Sequence, residues 1–107
     1  MPHRAILRAD LAQARKTNDS EKVTLIRTLM AAIDNAEAVN VQASAAADNP
    51  SEVPRRTLSA EEIMEIILRE GSELRAAAED YEQHGRPDEA NRLRSLSRVA
   101  DRYAEMS

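Results

Sequence analysis

Imidazoles and thiols, the side chains best suited to acid–base, metal or nucleophilic chemistry near neutral pH, are scarce in this 107-residue chain. His3 and His84 are the only imidazoles, and there is no Cys. That excludes a thiolate metal site, a cysteine nucleophile and a disulfide scaffold. Asp80 and His84 are four residues apart, so on a helix they share a face and could approach one metal ion. Two ligands fall short of the three or four that a zinc centre takes. His84 also precedes Gly85, and an imidazole at the negative end of a helix dipole is a capping group. His3 belongs to a terminus expected to fray. The segment 59–85 carries eight carboxylates against two cations. Most are read as solvated helix surface. Glu70 differs, because it falls in the apolar spacing of Ile63, Ile67, Leu74 and Ala77. It is read as paired to an Arg of another helix, or as a carboxylate kept for function. No Ser–His–acid set is recognisable, and Gly71 and Gly85 do not form a phosphate-cradling loop. The expectation is no catalytic residue, no cofactor and no metal.

The cations are more suggestive. Thirteen of the fifteen are Arg, and the net charge is −4, which argues against a strongly basic nucleic-acid binder. With two Tyr and neither Phe nor Trp, stacking on bases is not expected as a main binding mode. Charge is uneven, however: residues 1–30 balance at +3 and residues 59–85 at −6. Arg4, Arg8 and Arg15 are spaced by four and seven and share one side of a helix. Lys16, Lys22 and Arg27 extend that strip. One reading is intramolecular, with the acidic segment flanked by Arg-bearing neighbours in surface pairs worth little. The other is phosphate contact, which Arg and Lys make without reading sequence. Arg55 and Arg56 form a further basic pair in a connecting stretch, where solvation is the ordinary role.

The elements that position these residues are helices. Ala, Leu, Glu and Arg dominate, all good helix formers, and β-branched runs are absent. The first helix spans about His3 to Lys16, with Ile6, Leu7, Leu11 and Ala14 on one face. Thr17-Asn18-Asp19-Ser20 breaks the pattern, and Asn18 with Glu21 resembles a capping box. A second helix starts near Asp19 and continues to at least Val39. Its apolar stripe of Val23, Ile26, Leu29, Met30, Ile33 and Ala36 is widened by Leu25 and Ala32. So wide a face implies several neighbours, and hence the central helix.

Residues 40–58 form the least organised stretch, a flexible connection broken by Pro50 and Pro54. Ser59-Ala60-Glu61-Glu62 is a capping box that opens the third helix. Gly85 closes that helix in the left-handed conformation. Pro87 opens the fourth, whose stripe is Ala90, Leu93, Leu96, Ala100 and Tyr103. The very short turn at Gly85-Arg86 makes helices three and four an antiparallel hairpin. The fold class expected is all-α: one domain over residues 1–107, four-helix bundle-like, with a thin core and a C-terminal antiparallel helical hairpin. No apolar run reaches the roughly 20 residues of a membrane span, and the N-terminus lacks a signal-peptide h-region. A soluble cytoplasmic protein without membrane contact is expected.

Two segments together resemble the GatB/YqeY family. Arg27-Thr28-Leu29-Met30-Ala31-Ala32-Ile33-Asp34-Asn35-Ala36-Glu37 is similar to the family's R-x-L-x-x-A-I-K-N-A-E helix, with Asp34 where Lys is common. Leu68 to Glu89 resembles the long helix ending in A-x-x-[FY]-x-x-x-G-R-x-D, with Tyr81, Gly85, Arg86 and Asp88 in those places. Leu7, Leu11, Ala14, Arg15 and Lys16 fit the family's first helix. The resemblance implies an all-helical protein related to the tail of the B subunit of the tRNA-dependent amidotransferase. That tail contacts tRNA while the chemistry lies in other domains. Free-standing members are labelled amidotransferase-like. The family's Leu-Pro segment and second small helical domain would begin where this chain stops, so the resemblance covers the N-terminal helical domain.

Three functions follow as expectations. The first is a tRNA-associated accessory module in which Arg15, Lys16, Lys22, Arg27 and Arg86 touch phosphates. The second is a helical domain that pairs with a protein partner or with itself. The third, for which no nucleophile and base are recognisable, is an enzyme acting on amide or aminoacyl bonds.

Overall fold

The computed structural model describes residues 3–47 and 58–106, with side chains described for 3–38 and 58–106. It contains four helices: α1 (His3–Lys16), α2 (Ser20–Ala47), α3 (Ala60–Gln83) and α4 (Pro87–Glu105), and no strand occurs among the described residues. The chain is therefore all-α and bundle-like, as its composition and periodicity predict. α2 runs to Ala47, into the stretch read from sequence as a connection. The remainder of that connection, with Pro50, Pro54, Arg55 and Arg56, lies outside the described residues.

α3 and α4 share the most extensive helix–helix contact, and α1 packs chiefly on α2. The two pairs close on each other through α2, which touches all three other helices. The core is the meeting of their apolar stripes. Leu7 of α1 joins Leu25, Ile26, Leu29 and Ile33 of α2, Ile63, Ile66 and Ile67 of α3, and Ala100, Tyr103 and Ala104 of α4. Small residues bring α3 and α4 close. The α-carbon of Gly71 faces Asp101, and a β-carbon there would lie 2.6 Å from Asp101 Oδ1 and 3.6 Å from the Ser97 carbonyl.

Both tight turns are built alike. At the end of α3, Gly85 adopts φ +74°. The Arg86 amide donates to the Tyr81 carbonyl at 2.9 Å and the Gly85 amide to Glu82 at 3.1 Å, the paired bonds of a Schellman motif. At the end of α1, Asn18 holds the equivalent place at φ 57°. There the Asp19 amide reaches the Ala14 carbonyl at 2.9 Å and the Asn18 amide reaches Arg15 at 3.3 Å. Asn18 therefore does not cap α2. Asp19 does, its carboxylate accepting from the Lys22 amide at 3.2 Å. The short Asn side chain tolerates the left-handed region, and using Asn18 to end α1 shifts the cap one residue on.

α3 opens as predicted. Ser59 Oγ accepts from the Glu62 amide, and Glu62 Oε1 accepts from the Ser59 amide, each at 3.1 Å. Leu58 before the cap and Ile63 in the first turns are both buried in the core, the arrangement of a hydrophobic staple. His3 is not at a frayed end. It is buried in α1, and its Nε2 lies 3.2 Å from the Ala104 carbonyl. A carbonyl only accepts, so Nε2 carries the proton and ties the start of α1 to the end of α4.

Candidate functional site

Side-chain partners sort the arginines into two sets. Arg4 bridges Asp34 and Glu37 of α2, each at 2.8 Å. The hydrogen bond to Asp34 and the charge of Glu37 hold its guanidinium above the ordinary arginine range against the cost of burial. Arg75 pairs with Asp101 at 2.8 Å, and Arg94 with Glu82. Arg92 pairs with Glu89 at 2.7 Å and lies 3.8 Å from Glu21. The Arg92 guanidinium holds the Glu89 carboxyl below its usual range. These cations hold helices together or are neutralised in place. Arg4 thus leaves the strip that its spacing with Arg8 and Arg15 suggests.

Arg15, Lys16, Lys22 and Arg27 behave differently. Among the described residues none of them makes an ion pair or a side-chain hydrogen bond, which is also true of Arg8, Arg69 and Arg102, but these four gather at the α1–α2 end. Arg15, Lys16 and Arg27 are exposed and Lys22 is half-buried. The antiparallel packing of α1 on α2 brings Arg15 and Arg27 to one open groove of about 490 Å³, with Asn18, Ser20, Val23 and Thr24 between them. Arg86 stands at the α3–α4 turn with its guanidinium 5.3 Å from the centroid of the Tyr81 ring, within cation–π range. That turn lies at the same end of the bundle as the α1–α2 turn, because Arg92 near the start of α4 approaches Glu21 at the start of α2. All five cations named from sequence therefore belong to one half of the molecule.

On the other side of the first turns of α2 lies a smaller and more enclosed cavity of about 290 Å³. Its walls are Leu25, Leu74, Leu93 and Leu96, and its polar lining is Ser20, Glu21, Thr24, Thr28, Glu70 and Arg92. Ser20 and Thr24 line both concavities. The Arg partner expected for Glu70 is absent: among the described residues it has no ion pair and no hydrogen bond. Every Arg of α4 that could have turned to it is committed elsewhere or points to solvent. Burial pushes the Glu70 carboxyl above its usual range, Glu73 pushes the same way, and Arg69 opposes them.

His84 is the C-cap of α3, with Nδ1 2.7 Å from the Asp80 carbonyl and 3.7 Å from the Asp80 carboxylate. The carbonyl contact requires the proton on Nδ1, so this imidazole caps the helix, as read from sequence. Among the described residues no three His, Cys, Asp or Glu gather around one point, and no helix is long and apolar enough to cross a membrane. The Tyr103–Asp10 hydrogen bond and the Arg4–Glu37 pair were not legible in the sequence. Their residues are 93 and 33 positions apart, and no local pattern links them.

The model of the family described as Yqey-like protein matches residues 4–105. No curated protein and no solved structure matches the chain. The match takes in every helix from the Arg4 anchor to the last turn of α4, and the chain belongs to the YqeY-like protein family.

Proposed function

We propose that this chain is a non-catalytic helical accessory module that contacts tRNA in the cytoplasm. Arg15, Lys16, Lys22 and Arg27 meet the phosphate backbone, and Arg86 adds a contact from the neighbouring turn. The observation that carries this reading is the division among the cations. In a chain of net charge −4, most acids are spread over α3 and α4. Four cations at the α1–α2 end keep their charge unneutralised by any described side chain. Leaving cations unpaired forgoes the small gain of a surface ion pair, and polyanion contact repays it by releasing counterions. Family membership supports the same partner, since the resemblance to amidotransferase tails concerns a segment that contacts tRNA.

Self-association has less behind it. Leu68 and Met106 are the large apolar side chains left exposed among the described residues. Single exposed side chains of this kind are ordinary on a monomer, and a stable interface needs about 800 Å² from each partner.

A mobility-shift assay with unfractionated tRNA at two ionic strengths tests the proposal. Retardation at low salt that weakens steeply at about 200 mM salt is the expected result. No retardation at low salt removes the reading.

A further inference from the structure

The leucine-walled cavity between α2, α3 and α4 has no part in phosphate contact, and its lining is chemically one-sided. Four leucines supply the walls. The Thr24 hydroxyl donates to the Ser20 carbonyl at 3.0 Å, and the Thr28 hydroxyl donates to the Thr24 carbonyl at 2.9 Å. With their protons so used, both oxygens are left as acceptors. Arg92, the one cation of the lining, is taken by Glu89 at 2.7 Å and Glu21 at 3.8 Å. The Glu70 carboxylate has no donor among the described residues. The free polar functions are thus mainly acceptors, one of them anionic and half-buried, beside the Ser20 hydroxyl, which can donate or accept. A half-buried carboxylate without a protein donor favours a ligand that brings N–H donors and positive charge.

We infer that this cavity is a binding site for a primary ammonium group carried on a compact apolar body, with Glu70 as counter-ion and Leu25, Leu74, Leu93 and Leu96 as walls. At about 290 Å³ the space lies at the lower edge of the roughly 300–1,000 Å³ typical of small-molecule sites, which fixes the ligand as small. An ammonium offers three donors, enough for Glu70 and the two threonine oxygens together. The surrounding charges favour it. Glu21 faces the cavity from α2, Glu73 lies beside Glu70 on α3, and Arg92 on α4 is already neutralised by Glu89 and Glu21. Arg69 on α3 is the one cation acting on Glu70. Anions are disfavoured for the same reason, so the cavity and the basic groove across Ser20 and Thr24 select opposite charges. The inference stands on the cavity alone and does not depend on RNA contact.

Two-dimensional amide NMR titrations with cyclohexylammonium and with neutral cyclohexanol test it. Nα-acetyl-lysine methylamide, which carries the same ammonium on a peptide side chain, distinguishes a partner's lysine from a free amine. Saturable shifts confined to residues around Leu25, Glu70 and Leu96 are expected. The ammonium probe should bind at least about tenfold tighter than cyclohexanol, a preference within reach of one charge-assisted hydrogen-bonded pair. Glu70→Gln, which is nearly isosteric, should erase the preference while preserving spectral dispersion. Binding of either amine that is lost in Glu70→Gln supports the site, and the tighter of the two names the source. Equal binding of cyclohexylammonium and cyclohexanol, shifts elsewhere, or an unchanged preference in Glu70→Gln overturns it.

Discussion

The Tyr103 hydroxyl, near the end of α4, donates a 2.7 Å hydrogen bond to the Asp10 carboxylate in the middle of α1. It joins the same two helices as the His3–Ala104 bond, two turns further along α1. Together they fasten the first helix to the last. Burial pushes the Tyr103 phenol well above its ordinary range, and the bond to Asp10 pushes it further.

Tyr103→Phe should therefore cost about 1–2 kcal/mol in urea unfolding at neutral pH, the worth of a partly buried hydrogen bond to a charged acceptor. It should also alter the alkaline limb. A phenol whose folded pKa is raised contributes stability that is intact below the unfolded value of about 10 and is lost as pH rises above it. The wild-type protein should lose stability above pH ~10 more steeply than Tyr103→Phe. In a Tyr81→Phe background, ultraviolet titration should show the remaining tyrosine ionising only with alkaline unfolding.

The close approach at Gly71 makes a second prediction whose sign depends on its neighbour. Ala in a helix interior normally gains up to about 1 kcal/mol over Gly. Here the new methyl would lie 2.6 Å from Asp101 Oδ1, whose other oxygen is held by Arg75 at 2.8 Å. Displacing Asp101 breaks that pair and separates α3 from α4, so Gly71→Ala should destabilise by about 1 kcal/mol. In an Asp101→Ala background the same substitution should stabilise. A thermal-unfolding double-mutant cycle measures the reversal.

Glu70 should cost the fold some stability. Its carboxyl is raised above the usual range, so folding favours its protonated form. The stability it contributes is full below the unfolded carboxylate range and is lost as pH rises through the folded value. Glu70→Gln should therefore raise the melting temperature at pH 7, with the gain shrinking toward pH 4. A gain of equal size at both pH values would show that charge is not the cause.

Much of this was legible in the sequence, and the misses share a cause. Ser59 and Glu62, Gly85 and Pro87, and the stripe of α2 each announce themselves within a few residues, because caps, turns and periodicity are local. Asn18 is ambiguous in the sequence because Asn is a good N-cap and also the best left-handed residue after Gly. Only the Asp19–Ala14 bond decides between those roles. His3 reads as part of a fraying terminus, yet its burial comes from α4, some hundred residues away. Spacing puts Arg4 and Arg15 on one helix, but whether an acid waits opposite depends on α2, where Asp34 and Glu37 meet Arg4. Glu70 stood out by position, while its missing partner became apparent only with the helices assembled.

The account turns on the pairing state of the arginines, and one measurement addresses it directly. Equilibrium affinity for tRNA, taken across a series of salt concentrations, should be compared for wild type, Arg15→Gln/Arg27→Gln and Arg75→Gln/Arg94→Gln. The two double variants remove the same charge, the first from unpaired cations and the second from ion-paired ones. Each lost phosphate contact lowers the slope of log affinity against log salt by about 0.7–0.9. The Arg15/Arg27 variant should therefore bind more weakly with a slope reduced by roughly 1.5, while the Arg75/Arg94 variant keeps the wild-type slope. Equal slopes for all three proteins, or a larger loss in the Arg75/Arg94 variant, would contradict the claim that the α1–α2 end is where this protein meets RNA.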